Sequence, residues 1–251
     1  EKYLRPLERG EIRSCFAMTE PEHAGSNPVH MSTTAVREGD EYVINGHKWF
    51  TSSADGASFT IVMAVTDPTA ENKYERASMI VVPLDNPGYR MIRNIPIMGD
   101  EGEDYLSHSE VEFVNCRVPV SHLIGEEGSG FQLAQVRLGP GRIHHCMRSI
   151  GAAERALELM VRRGLSREAF GKPIARLGKN TEVIAKARIE IEAMRLMVLR
   201  GAKAMDTMGN AEARIWVSAV KAMVPERVCK IIDEAIQVFG GAGISHRFII
   251  S

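Results

Sequence analysis

One stretch decides the fold class of the first half of the chain: Tyr42-Val43-Ile44-Asn45-Gly46-His47-Lys48-Trp49-Phe50. Asn-Gly between two β-prone runs is the strongest short signal for a hairpin, so the stretch predicts antiparallel strands. Residues 59–65 and 77–82 are further apolar runs followed by proline, and residues 111–118 indicate a last strand or two. Because no helix-length segment separates these runs, we expect a mainly antiparallel barrel or sandwich from residue 12 to about 125.

After about residue 128 the apolar spacing becomes helical. From Ile184 to Met205, apolar residues recur every three or four positions, which is one face of a long amphipathic helix. Further helices are predicted over roughly 211–239, where Pro225 should cause a bend, and over roughly 129–164. Long helices with short links predict an antiparallel bundle, and therefore an α+β protein.

Composition and charge exclude several classes of protein. Lys plus Arg is 31 and Asp plus Glu is 32, so the net charge of −1 argues against nucleic-acid binding. No apolar run approaches the ~20 residues of a membrane span. The four cysteines form no Cys-x-x-Cys pair, which argues against zinc ribbons and favours a reducing compartment. The scattered histidines predict no metal site, and the first residue, Glu1, indicates a partial chain.

Several motifs have both an ordinary structural reading and a functional one. Residues 240–243, Gly-Gly-Ala-Gly, are either a helix stop or a loop that brings its backbone close to a phosphate. The aromatic and hydroxyl residues 49–53 are either a plain strand end or a surface that covers and hydrogen-bonds a flat polar ring. Residues 167–173 are typical of a helix end with glycine and proline stops.

Taken in order along the chain, five motifs resemble those of the acyl-CoA dehydrogenase family. They are Met18-Thr19-Glu20-Pro21 with Gly25-Ser26, Asn45-Gly46-x-Lys48, Gly128-x-Gly130-Phe131, Arg167-x-x-Phe170-Gly171-Lys172 and Gln237-x-Phe239-Gly240-Gly241-x-Gly243. Residues 138–147 are most similar to the subgroup that includes the family's member eleven and bacterial relatives. The resemblance implies a β-barrel domain over residues 1–127 and an incomplete helical bundle over 128–251, without the N-terminal helical domain of the family.

The resemblance also implies FAD as the cofactor, held between barrel and bundle. Contacts to the flavin ring would come from Phe16, Met18, Thr19, Phe50, Thr51 and Ser52. Phe50 stands where the family usually has a tryptophan that shields the flavin, and it keeps the apolar face. Ser52 stands where a threonine hydroxyl bonds flavin N5, and it keeps the donor. Ser26 would lie near the FAD phosphates and the CoA arm.

Residues of the helical half would reach the rest of the cofactor. Arg167 and Phe170 match groups that contact the adenosine diphosphate part of a neighbouring subunit's FAD, which implies a homodimer or homotetramer. Gln237, Gly240 and Gly241 match the loop that approaches the pyrophosphate. The stretches Leu177-Gly178 and 244–251 depart from the family pattern.

The implied reaction is α,β-dehydrogenation of an acyl-CoA, with hydride passing to flavin N5 and electrons to an electron-transfer flavoprotein. The catalytic base stays unassigned: the helix position that supplies it in a minority of the family is Gly141, so we expect the base beyond Ser251. Arg142 is either a CoA contact or a structural residue. A related acyl-CoA oxidase, a flavin monooxygenase and an inactive fragment or scaffold stay open as alternatives. The expected location is cytoplasmic if bacterial, and mitochondrial or peroxisomal if eukaryotic.

Overall fold

Strands and helices fall in separate parts of the chain, as predicted. The structure is a computed structural model that describes residues 2–245. The chain divides into two compact units, a sheet unit of residues 1–135 and a helical unit of residues 136–251. No helix of the described residues is long and apolar enough to cross a membrane.

The sheet unit contains one mostly antiparallel sheet, preceded by a short helix α1 (Leu4–Glu8). Its strands are β1 (Ser14–Ala17), β2 (Thr34–Glu38), β3 (Glu41–Ser52), β4 (Phe59–Val65), β5 (Ala77–Pro83), β6 (Tyr89–Asn94), β7 (His108–Pro119) and β8 (Leu123–Ile124). The hydrogen-bonded order is β6-β7-β3-β2-β4-β5-β8, and β1 pairs with β4 in parallel.

The closed barrel that the sequence predicted is not confirmed. Among the described residues, the path of paired strands begins at β6 and ends at β8. β8 contributes only two residues, so the ladder stops there instead of continuing to β6. The sheet is therefore open, with a core formed by the inward-facing residues of its central strands, among them Ile44, Val62, Ile80 and Phe113.

The predicted hairpin at Asn45-Gly46 is wrong, because β3 runs through both residues without turning. Asn45 and Gly46 instead make contacts within the sheet. The Asn45 side chain accepts a hydrogen bond from the Asn115 amide at 2.8 Å, beside a register shift against β7. A Cβ at position 46 would overlap the Thr33 side chain. Glycine is needed here for close approach and not for a turn.

The helical unit is the predicted antiparallel arrangement of long helices, and each predicted helix is present to within a few residues. The helices are α2 (Gly130–Ser166), which begins in the sheet unit, α3 (Gly178–Met208) and α4 (Arg214–Phe239), and a small hairpin of β9 (Glu168–Ala169) and β10 (Lys172–Pro173) precedes α3. Glu154 of α2 pairs with Arg188 of α3 at 2.9 Å. The stripe that was read from the sequence, including Ile191, Met194 and Val198, is buried in the core.

Candidate functional site

The end of β3 carries a bulge. Between Lys48 and Thr51, β3 has one more residue than the facing segment of β7. Phe50 takes up the extra length in the left-handed region, at φ 49°, which is strained for a residue with a large side chain. Its ring lies 4.8 Å from the ring of Trp49 and stays 42% exposed. An aromatic ring held in a strained conformation at the surface is typical of a functional site.

Residues 51 and 52 point in different directions. Thr51 is buried, whereas Ser52 is exposed like Phe50. The hydroxyl of Ser52 and the ring of Phe50 are thus both available at the end of one strand. Any contact from Thr51 to a ligand at this surface would have to run through its main chain.

Met18 and Thr19 are fixed beside this bulge. The Trp49 amide donates to the Thr19 carbonyl at 3.0 Å, and Lys48 Nζ donates to the Met18 carbonyl at 2.8 Å. We call Met18, Thr19, Phe50 and Ser52 the strand-end surface. Phe16 lies in β1, two residues before Met18, and is half-buried. The structure therefore places Met18 and Thr19 beside the end of β3 that carries Phe50 and Ser52, and their contacts to a flavin stay a prediction of the family resemblance.

A buried ion pair anchors the strand-end surface from below. Lys48 is fully buried and Glu20 is 3% exposed, with Lys48 Nζ 2.9 Å from Glu20 Oε1. Burial opposes ionisation of Glu20, but the charge of Lys48 and the amides of Ser32 and Thr33 outweigh it, so the pKa of Glu20 lies below its ordinary value. Burial lowers the pKa of Lys48 to about 8, against the opposing effect of Glu20. Both groups are charged at neutral pH.

The same carboxylate closes the loop of residues 20–32. Glu20 accepts hydrogen bonds from the amides of Ser32 at 2.6 Å and Thr33 at 2.9 Å. A Cβ at Gly25 would lie 2.8 Å from Thr19 Cγ2, so the loop folds back over Thr19. Ser26 is therefore exposed next to the strand-end surface. Sequence analysis named Glu20 only as part of the first family motif and missed its anchoring role. The available signal was that an acidic residue, Glu20, and a basic residue, Lys48, occur inside two separate family motifs.

His47 fixes the loop a second time. Its Nδ1 lies 3.0 Å from Glu22 and its Nε2 lies 2.9 Å from Glu110, which also accepts from Arg93 at 2.7 Å. A neutral imidazole has only one N–H to donate, so this geometry is that of the imidazolium. Burial lowers the pKa of His47, but the two carboxylates outweigh burial and raise it.

The hydroxyl of Ser52 has one protein partner of its own. Ser52 Oγ lies 2.8 Å from Nδ1 of His108, and the two residues face each other across β3 and β7. Ser53 follows at φ 68°, donates its amide to the Ser107 carbonyl at 2.8 Å and ends the strand. Sequence analysis did not single out His108.

In the helical unit, Phe170 lies at the tip of the β9–β10 hairpin. Phe170 at φ 55° and Gly171 at φ 74° form a two-residue turn with both central residues left-handed, as in type I′ hairpins. The Phe170 side chain is 92% exposed. The sequence predicted only a helix end here, because Phe-Gly lacks the usual Asn-Gly signature. Arg167 is exposed, and its carbonyl accepts a hydrogen bond from the Ile174 amide at 2.9 Å.

The glycine loop follows α4. Gly240 adopts φ 65°, ψ −146°, which is accessible almost only to glycine, and a Cβ at Gly243 would lie 2.5 Å from the Ile236 carbonyl. Gln237 and Gly241 are exposed. Arg163 near the end of α2 packs over the Phe239 ring at 5.5 Å. The hairpin of residues 168–173 and the glycine loop of residues 240–244, here called the helix-end loops, therefore lie at the same end of the helical unit.

The remaining predicted positions lie on α2. Arg142 is exposed, and a Cβ at Gly141 would meet no atom within 4 Å. Within residues 2–245 no group of three or more His, Cys, Asp or Glu side chains could hold a metal ion.

Two family models match the chain. The middle domain of acyl-CoA dehydrogenases matches residues 15–116, and the C-terminal domain matches residues 128–250. The chain belongs to the acyl-CoA dehydrogenase family. This is a family of flavoprotein oxidoreductases in which homo-oligomers are typical.

Named relatives of this acyl-CoA dehydrogenase family member come from bacteria and animals. FadE2 of Mycobacterium tuberculosis, described as a probable acyl-CoA dehydrogenase, is 49% identical over 97% of the chain and 60% of that protein. Acyl-CoA dehydrogenase family member 11 of Gallus gallus is 48% identical over 99% of the chain and 32% of that protein. The resemblance to member eleven and its bacterial relatives is confirmed. The chain thus spans less than two thirds of these relatives.

Solved structures of other proteins share the fold of the chain. The acyl-CoA dehydrogenase from Geobacillus kaustophilus superposes with a TM-score of 0.91 at 32% identity, over 99% of the chain and 64% of that structure. A structure described as PigA with FAD and proline superposes with a TM-score of 0.89 at 27% identity, over 99% of the chain and 63% of that structure.

Proposed function

We propose that this chain is the cofactor-binding part of an FAD-dependent acyl-CoA dehydrogenase, which oxidises an acyl-CoA thioester to its α,β-unsaturated form. The observation that carries the proposal is the strand-end surface. Membership of the family, and a solved structure of the same fold described with FAD, support it from outside the chain.

The residues of the strand-end surface fit one face of an isoalloxazine ring. Phe50 offers an exposed apolar face, Ser52 offers a hydroxyl, and the main chain at Met18 and Thr19 offers polar groups alongside. Each element is fixed before a ligand arrives, by the bulge, by the Lys48 contact and by the β3–β7 ladder. Such preorganisation lowers the ordering cost of binding.

The helix-end loops fit the polar end of an FAD molecule. The backbone amides around Gly240 and Gly241 can bind a pyrophosphate without a lysine. Phe170 is too exposed to be explained by packing within its own unit, so we assign it, with Arg167, to the FAD of a neighbouring subunit. The functional protein is accordingly a homodimer or homotetramer.

The chemistry that FAD supplies is acceptance of a hydride from the β-carbon of the substrate. The chain's own residues would bind and orient: we assign Ser26 and Arg142, both exposed, as contacts to the CoA moiety, and Ser52 as a donor to the flavin. No described carboxylate is assigned as the base. The electrons then pass to an electron-transfer flavoprotein.

The test is retention of FAD. Purified chain is mixed with FAD and desalted. We expect FAD to co-elute with the chain and Phe50→Ala to lose it. Tyr74→Ala is the matched control, because it removes another half-exposed aromatic of the sheet unit, 45% exposed. Equal retention by wild type and Phe50→Ala would contradict the assignment.

Titration of the complete protein with butyryl-CoA or palmitoyl-CoA without oxygen separates the alternatives. In the complete protein, bleaching of the flavin by acyl-CoA and transfer of electrons to an electron-transfer flavoprotein would support a dehydrogenase. Peroxide production in air would indicate an oxidase instead. Bound FAD that no acyl-CoA bleaches in the complete protein would indicate a scaffold.

A further inference from the structure

The Ser52–His108 pair lies inside the proposed flavin site, and the proposed function does not use His108. Ser52 Oγ and His108 Nδ1 are 2.8 Å apart. A serine hydroxyl has one proton to donate, and a neutral histidine has one donor and one acceptor nitrogen. If Nδ1 accepted, the Ser52 hydroxyl would donate its only proton to the hydrogen bond with His108. Ser52 could then offer a ligand only its lone pairs.

We propose that His108 is a positioning residue that donates its Nδ1–H to Ser52 Oγ, so that the Ser52 hydroxyl proton is free for flavin N5. This inference rests on the proposed function. It deepens that function, because it makes the polarity of the flavin contact depend on a histidine that never touches the flavin.

The surrounding backbone keeps the pair in place. His108 is the first residue of β7, and its carbonyl accepts from the Ile95 amide at 2.8 Å. On the other side, the Ser53 amide donates to the Ser107 carbonyl at 2.8 Å, and Ser53 Oγ donates to the Tyr105 carbonyl at 2.7 Å. Both strand ends are thus held by hydrogen bonds that do not involve the two side chains. The Ser52–His108 bond is not needed to close the ladder, and its polarity can be changed without moving the strands.

Two near-isosteric variants separate donor from acceptor. His108→Asn places an amide at the position of Nδ1, and this amide can still donate to Ser52. His108→Asp places an ionised carboxylate there. The carboxylate can only accept, so the Ser52 hydroxyl would donate its hydrogen bond to residue 108. Ser52→Ala removes the contact altogether.

The readout is the ¹⁵N5 resonance of bound, ¹⁵N-labelled FAD, together with FAD affinity. We expect His108→Asn to match wild type. His108→Asp and Ser52→Ala should both move the N5 resonance in the direction of a lost hydrogen bond and weaken FAD binding by about two- to tenfold, the range for one hydrogen bond. In the Ser52→Ala background, exchanging Asn for Asp at position 108 should leave the N5 resonance nearly unchanged, which controls for the added charge.

The outcomes are distinct. FAD that binds with the same N5 resonance in the Asn and Asp variants would overturn the role of His108 and leave the proposed function intact. A second contradicting result is an N5 resonance that differs between the Asn and Asp variants of residue 108 even when Ser52 is replaced by alanine. That result would attribute the shift to the added charge and would also overturn the role of His108. Failure of the wild-type chain to bind FAD would overturn both proposals. Thermal unfolding of each variant shows whether the fold survives.

Discussion

The strand-end surface and the helix-end loops differ in how their residues are held. The strand-end surface is held by the buried Lys48–Glu20 pair, by the contacts of His47 and by the β3–β7 ladder. Its side chains are therefore oriented by interactions within one chain. The second consists of turns whose backbone is fixed by left-handed residues, while its key side chain, Phe170, is 92% exposed.

The two regions therefore suit different roles in ligand binding. A surface whose groups are held by contacts within one unit can set the orientation of a bound ring, for which small displacements matter. Loops with exposed side chains gain their contacts only when a ligand or another subunit arrives.

The largest effect should come from removing Glu20. Glu20→Ala leaves the ammonium of Lys48 buried without its partner, which typically costs about 3–5 kcal/mol of unfolding free energy. Denaturant unfolding measures it. Glu22→Ala is the control, because its exposed contact to His47 should contribute within about 1 kcal/mol. Replacing both partners, as Glu20→Leu with Lys48→Met, removes the unpaired charge but leaves the Ser32 and Thr33 amides without their acceptor, so it should recover only part of the loss. A double variant no more stable than Glu20→Ala would argue against an electrostatic cause.

Gly46→Ala should come next. Its new Cβ would overlap the Thr33 side chain and force the adjacent strands apart, at about 1–3 kcal/mol. The matched control is Gly151→Ala in α2, where a Cβ meets nothing within 4 Å and alanine favours the helix by up to about 1 kcal/mol. Equal unfolding midpoints for Gly46→Ala and wild type would show that the close approach is not real.

Acid should weaken the sheet unit through the same ion pair. The pKa of Glu20 is lower in the folded chain than its ordinary value of 4.5, so its stabilising contribution is present above that value. The contribution is lost as the pH falls through the lowered pKa. Unfolding free energy measured against pH should therefore fall more steeply below about pH 4.5 in wild type than in the Glu20→Leu, Lys48→Met variant. Parallel curves would contradict the assignment.

The smallest effect on stability is expected at Phe170. Phe170→Gly relieves a left-handed phenylalanine and removes a side chain with little burial, so the free energy of unfolding should stay the same or rise by about 1 kcal/mol. FAD retention and subunit association should nevertheless weaken, as measured by desalting and sedimentation. A destabilised variant with unchanged FAD retention would place Phe170 in a packing role.

Much of the fold could be predicted from periodicity, because the helix stripe around Ile191 and the strand runs at 59–65 and 77–82 report local burial directly. The hairpin at Asn45-Gly46 could not be excluded, since the reason for Gly46 is a tertiary contact with Thr33. Sheet closure likewise depends on which distant strands pair, and the sequence motifs carry no information on that.

The candidate site divides in the same way. The strand end at Phe50 and Ser52 could be predicted from the aromatic and hydroxyl residues that follow a β-prone run, whereas their flavin contacts rest on the family resemblance and stay a prediction. Glu20, Lys48 and His108 were not assigned their roles, because a buried pair or a cross-strand hydrogen bond joins residues that are 28 or 56 positions apart.

Trp49 allows FAD on the strand-end surface to be detected directly. The chain has two tryptophans, so a ¹⁵N-labelled sample gives two indole resonances, and Trp216→Phe identifies that of Trp49. Because the Trp49 ring lies 4.8 Å from Phe50, ring currents from a flavin seated there should shift its resonance in step with added FAD. A Trp49 resonance that stays fixed while FAD is demonstrably bound would contradict the account.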